Sequence, residues 1–351
     1  MSRTADGLRL RVATEADIPA AIELMRVTLG EGKVPRTQEY FAWKHLENPF
    51  GRSPMWVAEV GERLVGLRIF MPWRWSWAAA QNSPAMRAVD TATHPEFQGK
   101  GIFKRLTLAL VEQVARDGAQ LIFNTPNDQS RPGYLKMGWS TAGKASLWLR
   151  PELRFAGLRR LLRVRAAPAL SADEETQERD PARDRTELAR ALGEAESSGL
   201  LASVDSVRAG PRYRTRKDGA YLRWRYVGCP AARYHAATAD AREALVVYRV
   251  RERRGLRELS ISELLFQPSL AGVRAAAEAL SLARTAARAD YALVAFEQDS
   301  LQGLALSTGG FFPIPEAGPI MTTRPLNRVA GAPDPYSVRS FRASIGDLEL
   351  F

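Results

Sequence analysis

The sequence predicts an α+β fold built as two similar units, each a mixed, mostly antiparallel twisted sheet flanked by helices. Three observations carry this. Short runs of alternating apolar and polar residues fill much of the first 150 residues. Only one strand–loop–helix–strand crossover is evident there, at residues 85–126, so the segment is not a repeated βαβ array. And the second half repeats landmarks of the first.

In order, LRLRVA at 8–13 alternates like a strand. TEADIPAAIELMRVTL at 14–29 opens with a Thr/Asp helix-start signal and places Ile18, Ala21, Ile22, Met25 and Leu29 at helical spacing. A second helix is expected over 37–46, then two strands in 55–75 turning at Gly61-Glu62. AMRAVDTAT at 85–93 reads as a strand. A helix then runs to about Asp117, with Leu106, Leu110, Val111 and Val114 on one face. AQLIFNTP at 119–126 reads as a buried strand, NDQSRPGYLKMGW at 127–139 as a short helix, and STAGKASLWLRP as a closing strand.

The repetition begins at RTQEYFAWKHLENP, 36–49, whose Tyr40, Trp43 and Pro49 reappear as Tyr221, Trp224 and Pro230 at one constant offset of 181 residues. Pro95 and Gly138 match Pro268 and Gly310 with nearly equal separations. Repetition on this scale means duplicated domains rather than a solenoid. The expected organisation is a first domain at 1–150, a basic segment and linker at 151–185, and a second domain at 186–351.

Bulk composition narrows the classes of function. The 351 residues include one cysteine, Cys229, and three histidines, which leaves no disulfide framework and no metal-ligand spacing. No apolar run approaches the ~18 residues of a membrane span, and MSRTADGLRLRV lacks the apolar core of a secretory signal, so a cytoplasmic location is expected. The net charge of +11 invites a nucleic-acid reading. Yet only seven of the 50 basic residues are lysines, the Arg-heavy background of a GC-rich genome, and no groove-reading motif is present. Two of those seven, Lys100 and Lys104, stand together. The 150–166 stretch, RPELRFAGLRRLLRVRA, carries six arginines against one glutamate. It reads as a solvated linker helix or as a platform for an acidic partner such as an acyl carrier protein or an anionic lipid surface.

HPEFQGKGIFKRL at 94–106 is the most informative segment. It sets two glycines and two lysines between a strand and a helix. A helix N-terminus offers unpaired N–H groups and partial positive charge. Glycines let an anion approach the main chain, and lysines add charge. Together these make a phosphate or pyrophosphate site. The nucleoside-triphosphate pattern GxxxxGK[ST] and the dinucleotide pattern GxGxxG are both absent. After Pro268 the second half has Ser-Leu-Ala-Gly-Val instead, so the repeat lacks this loop.

This segment, followed by NDQSRPGYLKMGW, resembles the GNAT acyltransferase superfamily. Gln98 and Gly101 take the first two marked positions of its Gln/Arg-x-x-Gly-x-Gly/Ala loop, and Phe103 takes the third. Asn127, Ser130, Tyr134, Gly138 and Trp139 fit its Asn-x-x-Ala-x-x-x-Tyr-x-x-x-Gly-Phe pattern, with Ser for Ala and Trp for Phe. The resemblance covers roughly residues 8–149, and the second half looks like a degenerate copy. It implies a metal-free N-acyltransferase that moves an acetyl or other acyl group from acyl-coenzyme A to a primary amine of a small molecule by direct attack. Gln98, Gly99, Lys100, Gly101, Ile102, Phe103 and Lys104 would then hold the pyrophosphate. The main chain of Thr91, Ala92 and Thr93 would pair with the pantetheine arm. Asn127 would hold the pantetheine amides or the chain turn. Tyr134 would be the general acid and Asp90 a candidate base, whereas His94 reads as a turn residue. Trp73, Trp75 or Trp77 would line an acceptor pocket or pack a hairpin. Alternatives are an acyltransferase using a longer or carrier-bound acyl group, and a non-catalytic acyl-coenzyme A sensor.

Overall fold

A computed structural model describes residues 7–30, 34–78, 81–152, 174–175, 181–207, 211–253, 255–295 and 300–348. The chain divides into two compact units: Met1–Trp77 with Gln81–Gly143 and Ile320–Ser340, and Lys144–Pro319 with Ala78–Ala80 and Phe341–Phe351. Both contain a mixed, mostly antiparallel sheet with helices, as the sequence predicts. No helix among the described residues is long and apolar enough to cross a membrane.

In the first unit β1 (Leu8–Val12) leads to α1 (Ile18–Leu29) and α2 (Gln38–His45). Next come β2 (Met55–Val60), β3 (Arg63–Trp77) and β4 (Gln81–Thr93), an antiparallel run in which β4 starts earlier than the sequence suggested. The crossover α3 (Ile102–Arg116) returns to β5 (Leu121–Asn124), parallel to β4. Then follow α4 (Arg131–Lys136) and β6 (Ser140–Lys144). Phe41, Ile22 and Met25 of α1 and α2 pack on Leu67 and Ile69, while Leu110 and Val114 of α3 pack with Phe70 and Ile122. Gly66 permits this close helix–sheet seating, because a Cβ there would stand 2.6 Å from Ile102 and 3.0 Å from Leu106.

The single closing strand expected from STAGKASLWLRP is two strands. After β6 the chain forms β7 (Leu147–Pro151), which belongs to the second unit. That unit continues with β8 (Glu174–Glu175), α5 (Pro181–Ser197) and α6 (Leu200–Val207), so helix begins inside the stretch read as linker. The arginines of 154–165 lie outside the described residues. After β9 (Tyr213–Arg214), α7 (Gly219–Leu222) continues as a π-helical turn, Arg223–Val227. There follow β10 (His235–Ala237), β11 (Ala244–Arg253), β12 (Leu256–Phe266), α8 (Leu270–Ala287), β13 (Tyr291–Ala295), α9 (Ser300–Thr308) and β14 (Phe312–Ile314).

The last sheet strands reveal an exchange. β7 pairs with β13 and β14, completing the second unit's sheet. β15 (Ile320–Pro325) lies between β5 and β6, completing the first. Each carries an arginine to a helix end: Arg324 of β15 donates to the Met137 carbonyl, and Arg150 of β7 to the Gly309 carbonyl. The sequence repeat has matching local geometry too. Thr37 accepts the Tyr40 amide at 3.2 Å at the start of α2, and Asp218 accepts the Tyr221 amide at 2.9 Å at the start of α7.

Candidate acyl-coenzyme A site

The glycine loop folds as its residue types dictate. His94 starts a 3₁₀ turn over Pro95–Phe97 by accepting the Glu96 amide on Nδ1, and its Nε2 lies 2.6 Å from Arg63, a turn role. Gly99 and Gly101 then take φ of 77° and 73°, a region side chains resist, and Gly101 becomes the N-cap of α3. Glycine has no side chain with which to cap, and none caps this turn. A Cβ built on either glycine meets nothing within 4 Å. The first turn of α3 thus has no side-chain cap at its N-cap, and the exposed Lys100 and Lys104 stand beside it. Lys100 sits 4.7 Å from the Phe97 ring centroid, and Gln98 donates to the Thr93 carbonyl at 3.3 Å. These residues fit a diphosphate: small, positive and unobstructed.

Phe103, where the loop pattern usually has glycine or alanine, does not fill this space. Its ring packs against the core at a right angle to Tyr134, 5.8 Å between centroids. Ile102 is buried under the loop against Leu106.

The corresponding helix of the second unit is closed. Ser269 caps α8 by accepting the Gly272 amide at 3.0 Å, and a Cβ on Gly272 would collide with the Gln267 carbonyl oxygen.

Beside the open loop the sheet splits. β4 pairs with β5 at Ala85, Met86 and Arg87. On its other side β4 pairs with β3 through Thr91, Ala92 and Thr93, and a bulge at Val89 and Asp90 interrupts the ladder between Arg68 and Phe70. The edge of residues 91–93 that faces away from β3 therefore lies beyond the β5 pairing.

Tyr134 of α4 reaches this region. It is 4 % exposed, set between Phe103 and Trp139, and its hydroxyl oxygen accepts a hydrogen bond from Arg68 Nη2 at 2.8 Å. Asn127 holds the turn before α4: its Oδ1 accepts from the Ser130 amide at 2.9 Å and hydroxyl at 2.8 Å.

Asp90 turns toward α2. Its Oδ2 lies 2.9 Å from Lys44 Nζ and 2.8 Å from His45 Nε2, and His45 Nδ1 lies 2.9 Å from Ser53 Oγ. Burial alone would raise the Asp90 pKa, but the Lys44 charge and the His45 bond hold it well below the usual carboxylate range. Burial disfavours the Lys44 ammonium as well, yet Asp90 beside it lifts its pKa above the ordinary lysine value. Burial lowers the His45 pKa against the pull of Asp90. The neutral ring then donates from Nε2 to Asp90 and accepts from Ser53 on Nδ1. Sequence reasoning found Asp90 but not its partners. Lys44, one of only seven lysines, was the available signal.

Trp73 and Trp75 are buried against Phe123, with ring centroids 6.0 and 5.0 Å away. Arg68, the other residue missed, is an arginine inside the apolar run LVGLRIFMPW.

The family described as Acetyltransferase (GNAT) domain matches residues 9–142. A search of curated proteins gives no match. Among solved structures, a probable N-acyltransferase of unknown function from Enterococcus faecalis superposes with a TM-score of 0.59 at 13% identity, over 91% of this chain and 73% of that one. A GCN5-related N-acetyltransferase from Kribbella flavida gives 0.54 at 17% identity, over 91% and 71%. An N-myristoyltransferase from Saccharomyces cerevisiae, solved with bound myristoyl-CoA, gives 0.51 at 11% identity, over 99% and 87%. At these identities the likeness is one of fold, and it extends over both units. The matched domain, the open loop and the split sheet all fall within the first unit: residues 9–142 match the GNAT acetyltransferase domain, a fold that supports acyl transfer from acyl-coenzyme A.

Proposed function

We propose that this protein transfers an acetyl group from acetyl-coenzyme A to a primary amine of a small molecule, with its chemistry in the first unit. The carrying observation is the uncapped start of α3 at Gly101, against the Ser269-capped start of α8. Only the first can hand its amides to a diphosphate. On this reading the second unit is a degenerate copy that keeps the fold without the donor site.

The bound thioester supplies the electrophilic carbonyl. The amides of residues 101–103, with Lys100 and Lys104, hold the diphosphate end. The edge of residues 91–93 that faces away from β3, where Gln98 already donates to the Thr93 carbonyl, pairs with the pantetheine arm and orients the thioester carbonyl. The neutral amine nitrogen bonds to the carbonyl carbon and sheds one proton to solvent water, the carbon–sulfur bond breaks, and Tyr134 gives its phenolic proton to the departing sulfur. Because the Tyr134 oxygen accepts from Arg68, its own hydrogen is directed away from Arg68. Asn127 is assigned to the turn before α4. Asp90 is assigned to fixing the β4 bulge, since a carboxylate stabilised by an ammonium and an imidazole is a weak proton acceptor at neutral pH.

Calorimetric titration with acetyl-coenzyme A should show a single site, and a panel of amines should release free thiol. Tyr134→Phe should keep the affinity within about 2-fold and lose ~10²-fold in kcat. Binding without thiol release for any amine, together with an inert Tyr134→Phe, would instead make the protein a sensor of the donor.

A further inference from the structure

Arg68 is fully buried in the middle of β3. A guanidinium cannot shed its charge, so burying one is costly unless an anion or a full set of acceptors compensates. Among the described residues no carboxylate lies within ion-pair distance of it. Nη1 donates to the Val89 carbonyl in the β4 bulge at 2.5 Å, and Nη2 to the Tyr134 hydroxyl oxygen at 2.8 Å. Nε finds no acceptor. Around it stand the rings of Phe70, Phe103 and Tyr134, at 4.8, 5.6 and 5.5 Å from Cζ. Electron-rich ring faces and two neutral oxygens leave a net positive charge at the phenol with no built-in counter-ion.

We propose that Arg68 is a positioning residue for the acid step. It fixes the Tyr134 hydroxyl with its oxygen toward the guanidinium, and it stabilises the phenolate that remains after the proton leaves. This rests on the assignment of Tyr134 as acid. In that step the phenolic proton passes to the thiolate sulfur, freeing the thiol, and the phenolate recovers a proton from solvent. The missing anion at Arg68 is the one the reaction creates. The same guanidinium ties the phenol to the bulge carbonyl, so the acid keeps its register with the split between β4 and β5.

The test uses the full chain with Arg68→Met and Arg68→Lys, each in the parent and Tyr134→Phe backgrounds, with folding checked by acetyl-coenzyme A calorimetry. Arg68→Met should cost ~10-fold or more in kcat in the parent and nothing further in the Tyr134→Phe background. Arg68→Lys should restore part of the loss. Equal losses in both backgrounds would make Arg68 a packing residue and overturn the proposal. Ring-labelled tyrosine, assigned by difference from Tyr134→Phe, reads the environment of the hydroxyl by NMR without turnover. Replacing Arg68 should move the Tyr134 ring-carbon signals, most at the carbon that bears the oxygen. Unmoved signals overturn the proposal even in an active enzyme. Moved signals sustain the positioning even if no amine is acylated, in which case it is the proposed activity that fails. If Arg68→Met does not fold, the same comparison is made with Arg68→Lys, whose point charge cannot fork to both oxygens.

Discussion

Lys44 presents its ammonium to Asp90 at 2.9 Å while its side chain is only 1 % exposed, so the pair carries the burial of both charges. His45 lies on the same carboxylate oxygen, which leaves Asp90 braced from α2 at the bulge of β4. Removing one partner of a buried pair strands the other charge, at about 3–5 kcal/mol. Asp90→Ala should therefore lower the thermal midpoint sharply, and adding Lys44→Met should recover most of the loss. A catalytic base would add a second loss: Asp90→Asn would then also remove ~10²–10⁴-fold of kcat per folded molecule. Calorimetric melting run beside turnover per folded molecule separates the two.

Acid should weaken the first unit before its carboxylates titrate. The His45 pKa is lowered from 6.5, chiefly by burial. The unfolded chain takes up a proton near 6.5 that the folded chain refuses, so the stabilisation is complete above that pH and declines as pH falls below it. The slope approaches about 1.4 kcal/mol per pH unit. Asp90, whose pKa is also depressed, adds a second loss once pH falls below its ordinary value of 3.8. Urea unfolding between about pH 7.5 and 5.5 should show the first decline, and His45→Gln should flatten it.

The donor loop should respond to backbone and charge separately. Gly101 holds φ of 73°, so Gly101→Ala strains the N-cap by about 1 kcal/mol and sets a methyl group where the diphosphate would lie. Acetyl-coenzyme A affinity should drop ~10-fold or more. Lys100→Glu with Lys104→Glu should weaken binding by a similar factor, and mainly at low salt, because both side chains are exposed. Equal affinity in all these proteins would place the donor elsewhere.

Local signals carried most of the first unit. Gly61-Glu62 turns β2 into β3, Thr14 and Thr37 introduce helical segments, and the loop glycines adopt the positive φ their identity suggests. Chain exchange was not legible. LWLRP and IMTTRP look like any other strands, and their choice of sheet depends on pairings set by distant β13 and β5. The site divides likewise. Tyr134 and the loop lie in short contiguous motifs, whereas Arg68 meets Tyr134 across 66 residues and Asp90 meets His45 across 45. A buried charge in an apolar strand signals a partner without saying which. Trp73, Trp75 and Trp77 stand at every second position of one strand, and alternation alone does not tell which face of a sheet is covered.

The capped helix of the second unit supplies the matching negative control. Ser269 satisfies the Gly272 amide, so Ser269→Ala should cost about 1 kcal/mol of stability, read in the unfolding of the second unit. Cys229, buried in that unit, is the convenient probe: burial raises its pKa and shields it, so its reaction with a thiol reagent marks unfolding. If the second copy has no donor site, the same substitution leaves acetyl-coenzyme A stoichiometry at one and kcat within about 2-fold. Even Ser269→Gly, which frees the amide and leaves no side chain in the way, should not create a second site, because the Gln267 carbonyl oxygen still occupies the approach to Gly272. A stoichiometry of two in either variant would show that the serine cap alone had silenced a working loop.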